Sequence, residues 1–173
     1  RKSQLLARRR DLKIIEIRGN VDTRLRKLQE DRYDAVVVAS CGLIRLGLEE
    51  RISHYLPLEW MLPEPGQGAL ALQTRADDDE ALAMARSLDD AATRGCVEAE
   101  RAFLDALGGG CRVPIAAYAQ RDHRRLALDG AVMAADGSTR LCDRASGPAD
   151  EPIELGRQLA TRLTAQGARE LLE

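Results

Sequence analysis

Apolar positions come in short blocks over the first fifty residues and settle into longer periodic segments after residue 90. The opening Arg1-Lys2-Ser3-Gln4-Leu5-Leu6-Ala7-Arg8 reads as a helix already in progress, with no capping residue before it. Leu12 to Ile17 is an apolar-rich run that predicts a strand. Gly19-Asn20 ends it, and Asn20 or Asp22 can cap a helix from about Thr23 to Gln29. Asp34-Ala35-Val36-Val37-Val38-Ala39 is a β-branched run of the kind found in buried parallel strands, followed by a short helix around Leu43 to Leu46. The order helix, strand, helix, strand, helix over residues 1–50 predicts a parallel α/β sheet.

The pattern changes at residues 55–68, where Pro57, Pro63, Pro65, Gly66 and Gly68 mark a linker or hinge. Ala69 to Gln73 predicts one more strand. Asp77-Asp78-Asp79-Glu80 then opens a helix, placing negative charge where the helix dipole favours it. From Asp90 to Leu107 a longer helix is predicted, with Cys96, Ala99, Phe103 and Leu107 on one apolar face. Strand-like runs follow at Ile115–Ala119, Leu126–Met133 and Thr139–Cys142, split by turns at Asp122-His123 and Ala135-Asp136-Gly137. A last helical stretch covers about Pro152 to Leu172, broken at Gly167. Residues 90–173 therefore predict a compact α-β-β-β-α module.

Composition narrows the partners. Hydrophobic residues make up 45% of the 173 residues and aromatics only 3%, so the core must be built from Leu, Val, Ile and Ala. A net charge of −2 argues against a general nucleic-acid or membrane-surface binder, and no apolar run approaches a membrane span. Cys41, Cys96, Cys111 and Cys142 are widely and irregularly spaced, and neither His54 nor His123 lies at ligand spacing from them. That spacing predicts no metal site and no disulfide framework, and it points to a reducing cytoplasm.

Two features carry candidate chemistry. Cys111 lies in Gly108-Gly109-Gly110-Cys111-Arg112-Val113-Pro114-Ile115, where three glycines clear side chains from around the thiol and Pro114 stiffens the exit. A small core cysteine after a helix-ending glycine is the plainer reading of such a loop. The second feature is Arg18-Gly19-Asn20-Val21-Asp22-Thr23-Arg24. Arg18 closes one predicted strand, Arg24 lies in the first turns of the next helix, and Arg45 follows the second strand. In a parallel α/β sheet, ligands sit at the carboxyl ends of strands and at helix N-termini, so these guanidinium groups could hold carboxylates or phosphates. Taken singly, each reads more simply as a solvated surface arginine.

These residues, with Tyr33-Asp34-Ala35, Gly42-Leu43-Ile44-Arg45-Leu46-Gly47 and Gly66-Gln67-Gly68, strongly resemble the porphobilinogen deaminase (hydroxymethylbilane synthase) family in order and in separation. The resemblance implies an incomplete α/β lobe like those of periplasmic binding proteins, followed by a small α+β C-terminal domain. Residues 1–62 would be the later part of domain two, 63–68 a crossover hinge, 69–87 a returning segment of domain one, and 91–173 the cofactor-attachment domain. The family is a cytoplasmic, monomeric transferase of tetrapyrrole and heme biosynthesis. It joins porphobilinogen units into the linear tetrapyrrole hydroxymethylbilane on a dipyrromethane primer.

By that resemblance Cys111 carries the dipyrromethane through a thioether, and Arg1, Arg18, Arg24 and Arg45 bind the acetate and propionate groups of the pyrroles. The family's catalytic aspartate belongs to domain one and matches no residue here; neither Asp22 nor Asp34 takes its place. The chain is accordingly expected to be a fragment, inactive alone, whose partner is the missing N-terminal half, with no nucleic-acid or membrane partner. Pro65, Ala116 and Cys41 depart from the family's usual residues without removing a functional group. The competing reading from the residues is a non-enzymatic module that binds a small anion on an arginine-lined rim.

Overall fold

The computed structural model describes residues 1–110 and 113–172. It divides into two compact units, residues 1–11 with 58–173 and residues 12–57. The chain is a mixed α/β protein whose sheet has three antiparallel strands.

Asp90 starts the longest helix. Its carboxylate accepts the Thr93 backbone N–H at 2.7 Å, satisfying a donor that the helix cannot pair internally. The helices of the first unit are α1 (Lys2–Arg8), α4 (Asp79–Ser87), α5 (Ala91–Ala106) and α6 (Pro152–Ala165), and those of the second are α2 (Val21–Gln29) and α3 (Ser40–Arg45). A single 3-10 turn follows α3 at Glu49–Arg51. Pro152 stands at the start of α6, where its missing N–H costs nothing.

Strand β1 (Ile115–Asp122) pairs with β2 (Arg125–Met133) from Ile115↔Val132 to Asp122↔Arg125. Strand β2 pairs in turn with β3 (Arg140–Pro148) from Arg125↔Pro148 to Met133↔Arg140. One face of this meander turns Ala117, Leu126, Leu128 and Val132 toward α5 and α6, which answer with Ala99, Phe103, Leu155, Leu159 and Leu163. Each large side chain buried here is worth about 1.5–3 kcal/mol relative to exposure. The two helices pass at backbone contact. A Cβ at Gly156 would lie 2.8 Å from both the Ala102 Cβ and the Phe103 N, and against the Ala99 carbonyl. The core forms around that contact.

The opposite face is covered differently. Leu62, Ala116, Ala131 and Met133 form a second, smaller cluster with Tyr118 beside it. Helix α1 closes this side through polar bonds. The buried Gln4 amide donates to the Leu62 carbonyl at 2.8 Å and accepts the Leu62 N–H at 2.9 Å. Ser3 donates to the Ala135 carbonyl, and Arg8 donates to the Glu59 carbonyl while lying 5.5 Å from the Trp60 ring centroid.

The structure corrects the sequence-based reading at three predicted strands. Leu12–Ile17, Asp34–Ala39 and Ala69–Gln73 form no ladder among the described residues, so residues 1–50 contain helices but no parallel sheet. The pattern records a preference for burial, whereas a strand also needs a partner for its backbone groups. Val36, Val37 and Val38 are only partly buried, and Leu70 and Leu72 are 73% and 61% exposed. Strand β3 runs to Pro148 rather than Cys142, because pairing with β2 carries it through the polar Asp143, Arg144 and Ser146. Helix α6 stops at Ala165, before the predicted Leu172.

Substituting Gly156 tests the helix contact. Gly156→Ala should lower the unfolding free energy by about 1–3 kcal/mol, since the obstructing atoms include backbone that cannot turn aside. Urea denaturation followed by circular dichroism measures this. An unchanged midpoint would show that α6 can shift without loss.

Candidate functional site

The arginine loop is built by the start of α2. The Asn20 side chain accepts the Thr23 N–H at 2.9 Å and fixes the first turn. Gly19 has φ +121, and a Cβ there would lie 2.7 Å from the Thr23 Cγ2. No other residue enters this turn without strain. Two side chains of α2 reach back to the loop: Arg24 donates through Nε to the Gly19 carbonyl at 2.9 Å, and Lys27 donates to the Arg18 carbonyl at 3.0 Å. The Arg18 guanidinium itself stands 91% exposed, with Glu16 3.7 Å away.

Helix α3 comes close to this loop. A Cβ on Gly42 would touch the Val21 Cγ2 at 3.4 Å, so the first residue of α2 packs on the first turn of α3. Arg45 lies exposed in the last turn of α3. Arg18, Arg24 and Arg45 thus share one unit: Arg18 stands exposed ahead of α2, Arg24 is partly buried in its first turns, and Arg45 is exposed at the end of α3. The donor set is suited to carboxylates. Asp22 in the first turn of α2 adds one competing negative charge. Arg1 precedes α1, exposed, in the other unit.

Cys111 lies outside the described residues, and the two feet of its loop lie within them. On the helix side, Gly109 donates its N–H to the Leu104 carbonyl at 3.0 Å, and a Cβ there would collide with Ile115 Cδ1 at 2.7 Å. On the strand side, Val113 donates to Gly110, and the Pro114 carbonyl accepts from Met133 at 3.0 Å. These two feet are therefore bonded to α5 and to the sheet. Of the other cysteines, Cys96 is partly buried and packs against the main core, and Cys41 and Cys142 are exposed. Burial pushes the Cys96 thiol up from its ordinary value, and the neighbouring Glu100 charge adds to this, so little of it is thiolate at neutral pH.

Sequence reasoning missed Glu100. It lies on α5, is 6% exposed, and accepts the Gly66 N–H at 2.7 Å and the Ala119 N–H at 2.8 Å. Burial pushes its carboxyl above the ordinary value, opposed by the two backbone hydrogen bonds. The available signal was its place between Cys96 and Phe103, flanking an otherwise apolar helix face. Gln4, which clasps Leu62, left no comparable trace.

Comparison with known proteins covers both units. The family model "Porphobilinogen deaminase, dipyromethane cofactor binding domain" matches residues 1–83, and "Porphobilinogen deaminase, C-terminal domain" matches residues 95–165. The four arginines fall in the first and Cys111 in the second. A porphobilinogen deaminase of Desulforudis audaxviator is 51% identical over 99% of this chain and 56% of its own length. One of Brevibacillus brevis is 49% identical over 99% and 55%, and one of Thiobacillus denitrificans 46% identical over 100% and 56%. The chain thus spans a little over half the length of these relatives.

The loop geometry yields a direct test. Gly19→Ala should destabilise the turn by about 1–3 kcal/mol, read as faster amide exchange at Thr23 and Arg24. Gly68→Ala, where a Cβ meets nothing within 4 Å, should leave those amides unchanged. Equal behaviour of the two variants would show that the Gly19 conformation does not hold the loop.

Proposed function

The chain belongs to the porphobilinogen deaminase family, and we propose from that membership that it supplies the arginine rim and the cofactor cysteine of a hydroxymethylbilane-forming transferase. The observation that carries this reading is the Arg18–Arg24 loop. It places the exposed Arg18 and the partly buried Arg24 about the N-terminus of α2, inside the segment that matches the family's cofactor-binding model. A substrate whose pyrroles each bear two carboxylates calls for such a rim.

The roles follow from the chemistry of each group. Cys111 would hold the dipyrromethane as a thioether, a bond that survives repeated turnover. That group supplies the nucleophilic pyrrole end on which the chain of rings grows. Arg18, Arg24 and Arg45, with Arg1, would neutralise the side-chain carboxylates of the growing chain and keep it in register. The feet of the loop at Gly109 and Pro114, bonded to α5 and to the sheet, would join the attachment point to the C-terminal module. Residues 1–62 would be the later part of domain two and residues 69–87 a returning segment of domain one, each part of a periplasmic-binding-protein-like lobe that an N-terminal half would complete. In this reading residues 63–68 are the hinge and 91–173 the attachment domain. General acid–base chemistry would come from an aspartate of that other half, in a cytoplasmic monomer whose substrate is porphobilinogen.

Two measurements test this. Peptide mass mapping of the protein purified with its pyrrole adduct should place the adduct on Cys111 alone, and Cys111→Ala should abolish it. Cys111→Ser should fail as well, a hydroxyl being much the poorer nucleophile. An adduct on Cys41, Cys96 or Cys142 would overturn the assignment.

In a full-length family enzyme, leucine at the positions of Arg18 and Arg24 should lower kcat/KM about ten- to a hundredfold each, the value of a charge-assisted hydrogen bond of roughly 1.5–3 kcal/mol. Arg18 is the cleaner case, because its side chain packs on nothing, whereas Arg24 also braces Gly19. Near-normal kinetics in both would reduce them to surface residues.

A further inference from the structure

Strand β1 has an open edge, since β2 pairs only its other side. Two of its outward N–H groups are nevertheless satisfied. Ala117 donates to the Pro63 carbonyl at 3.1 Å and Ala119 to Glu100 Oε1 at 2.8 Å. The other oxygen of Glu100 accepts the Gly66 N–H at 2.7 Å. One carboxylate on α5 therefore joins two stretches of backbone, one 34 residues earlier in the chain and one 19 residues later.

Carboxylate is the chemistry this position requires. Both partners are N–H donors, and only an ionised carboxylate offers an acceptor oxygen to each, since an amide has one oxygen and a donating NH2. No cation pairs with Glu100 among the described residues. What the carboxylate provides is a directed pair of hydrogen bonds to backbone N–H groups that an apolar residue would leave unsatisfied.

We propose that Glu100 is a latch that holds the crossover residues 62–66 along the outer edge of β1, confining hinge motion to Gln67, Gly68 and the residues beyond. Leu62 is fixed by Gln4, Pro63 by Ala117 and Gly66 by Glu100, whereas the backbone N–H groups of Gln67 and Ala69 bond only within the turn, to Glu64 and Gly66. Ala119 lies on β1, whose first residue follows the cysteine loop, and Glu100 lies on α5, whose end precedes it. The same carboxylate thus ties together the two elements that carry the loop and the segment about which the domains would turn. The functional weight of this latch rests on the transferase reading above; its existence does not.

Amide hydrogen exchange on the 173-residue chain tests it, with Glu100→Gln and Glu100→Ala. In Glu100→Ala, exchange at Gly66 and Ala119 should accelerate about tenfold or more, as expected for loss of a hydrogen bond to a charged acceptor. Leu128 in the central strand and Leu62, held by Gln4, should keep their wild-type rates. Glu100→Gln preserves volume and one acceptor, so at least one of Gly66 and Ala119 should accelerate, and this variant carries the test should the alanine form fail to fold. Unchanged rates at both amides would overturn the latch. So would acceleration at Leu128 equal to that at Gly66, which signals general loosening. Absence of a pyrrole adduct at Cys111 bears on the transferase reading and leaves these exchange results standing.

Discussion

Backbone N–H and C=O groups must be satisfied, and the strands of this chain divide according to whether it supplies their partners. The β1–β2–β3 meander draws its partners from consecutive segments through short turns, and α5 and α6 cover one face. The outer edge of β1 is met by the crossover and Glu100. The runs at Leu12–Ile17, Asp34–Ala39 and Ala69–Gln73 have equal strand character and no such partner among the described residues, and Leu70 and Leu72 stay exposed.

The same constraint explains how the two candidate features are held. The arginine loop needs no sheet beneath it, because Asn20, Arg24 and Lys27 of α2 bond its backbone directly. The two feet of the cysteine loop are instead tied to a completed module, Gly109 to α5 and Pro114 to the sheet. One is a local motif and the other a consequence of tertiary packing.

Legibility in the sequence follows that division. The α-β-β-β-α order of residues 90–172 could be read because each element has a complete local signal: Asp90 as cap, the apolar face of α5, the polar turns and the Pro152 start. The arginine and glycine–cysteine motifs could be read because their residue types are tied to local backbone. Three things could not be read. The parallel strands predicted in the first fifty residues show a buried pattern, but pattern is silent on whether a partner exists. The extension of β3 through Asp143 and Arg144 is imposed by β2. Glu100 looks like one more helical glutamate, since the N–H groups it serves are 34 and 19 residues away along the chain. Long-range backbone bonds from a single side chain leave no periodic trace.

The chain has a single tryptophan, and Trp60, just before the crossover, stands 47% exposed with the Arg8 guanidinium of α1 over its ring. Its emission therefore has one structural origin. A shift in Trp60 fluorescence reports the docking of α1 on the crossover, while far-ultraviolet dichroism reports the helices and the meander. The molecule thus carries an intrinsic optical probe at the seam between its first residues and its C-terminal module, with no label to introduce and no second indole to subtract.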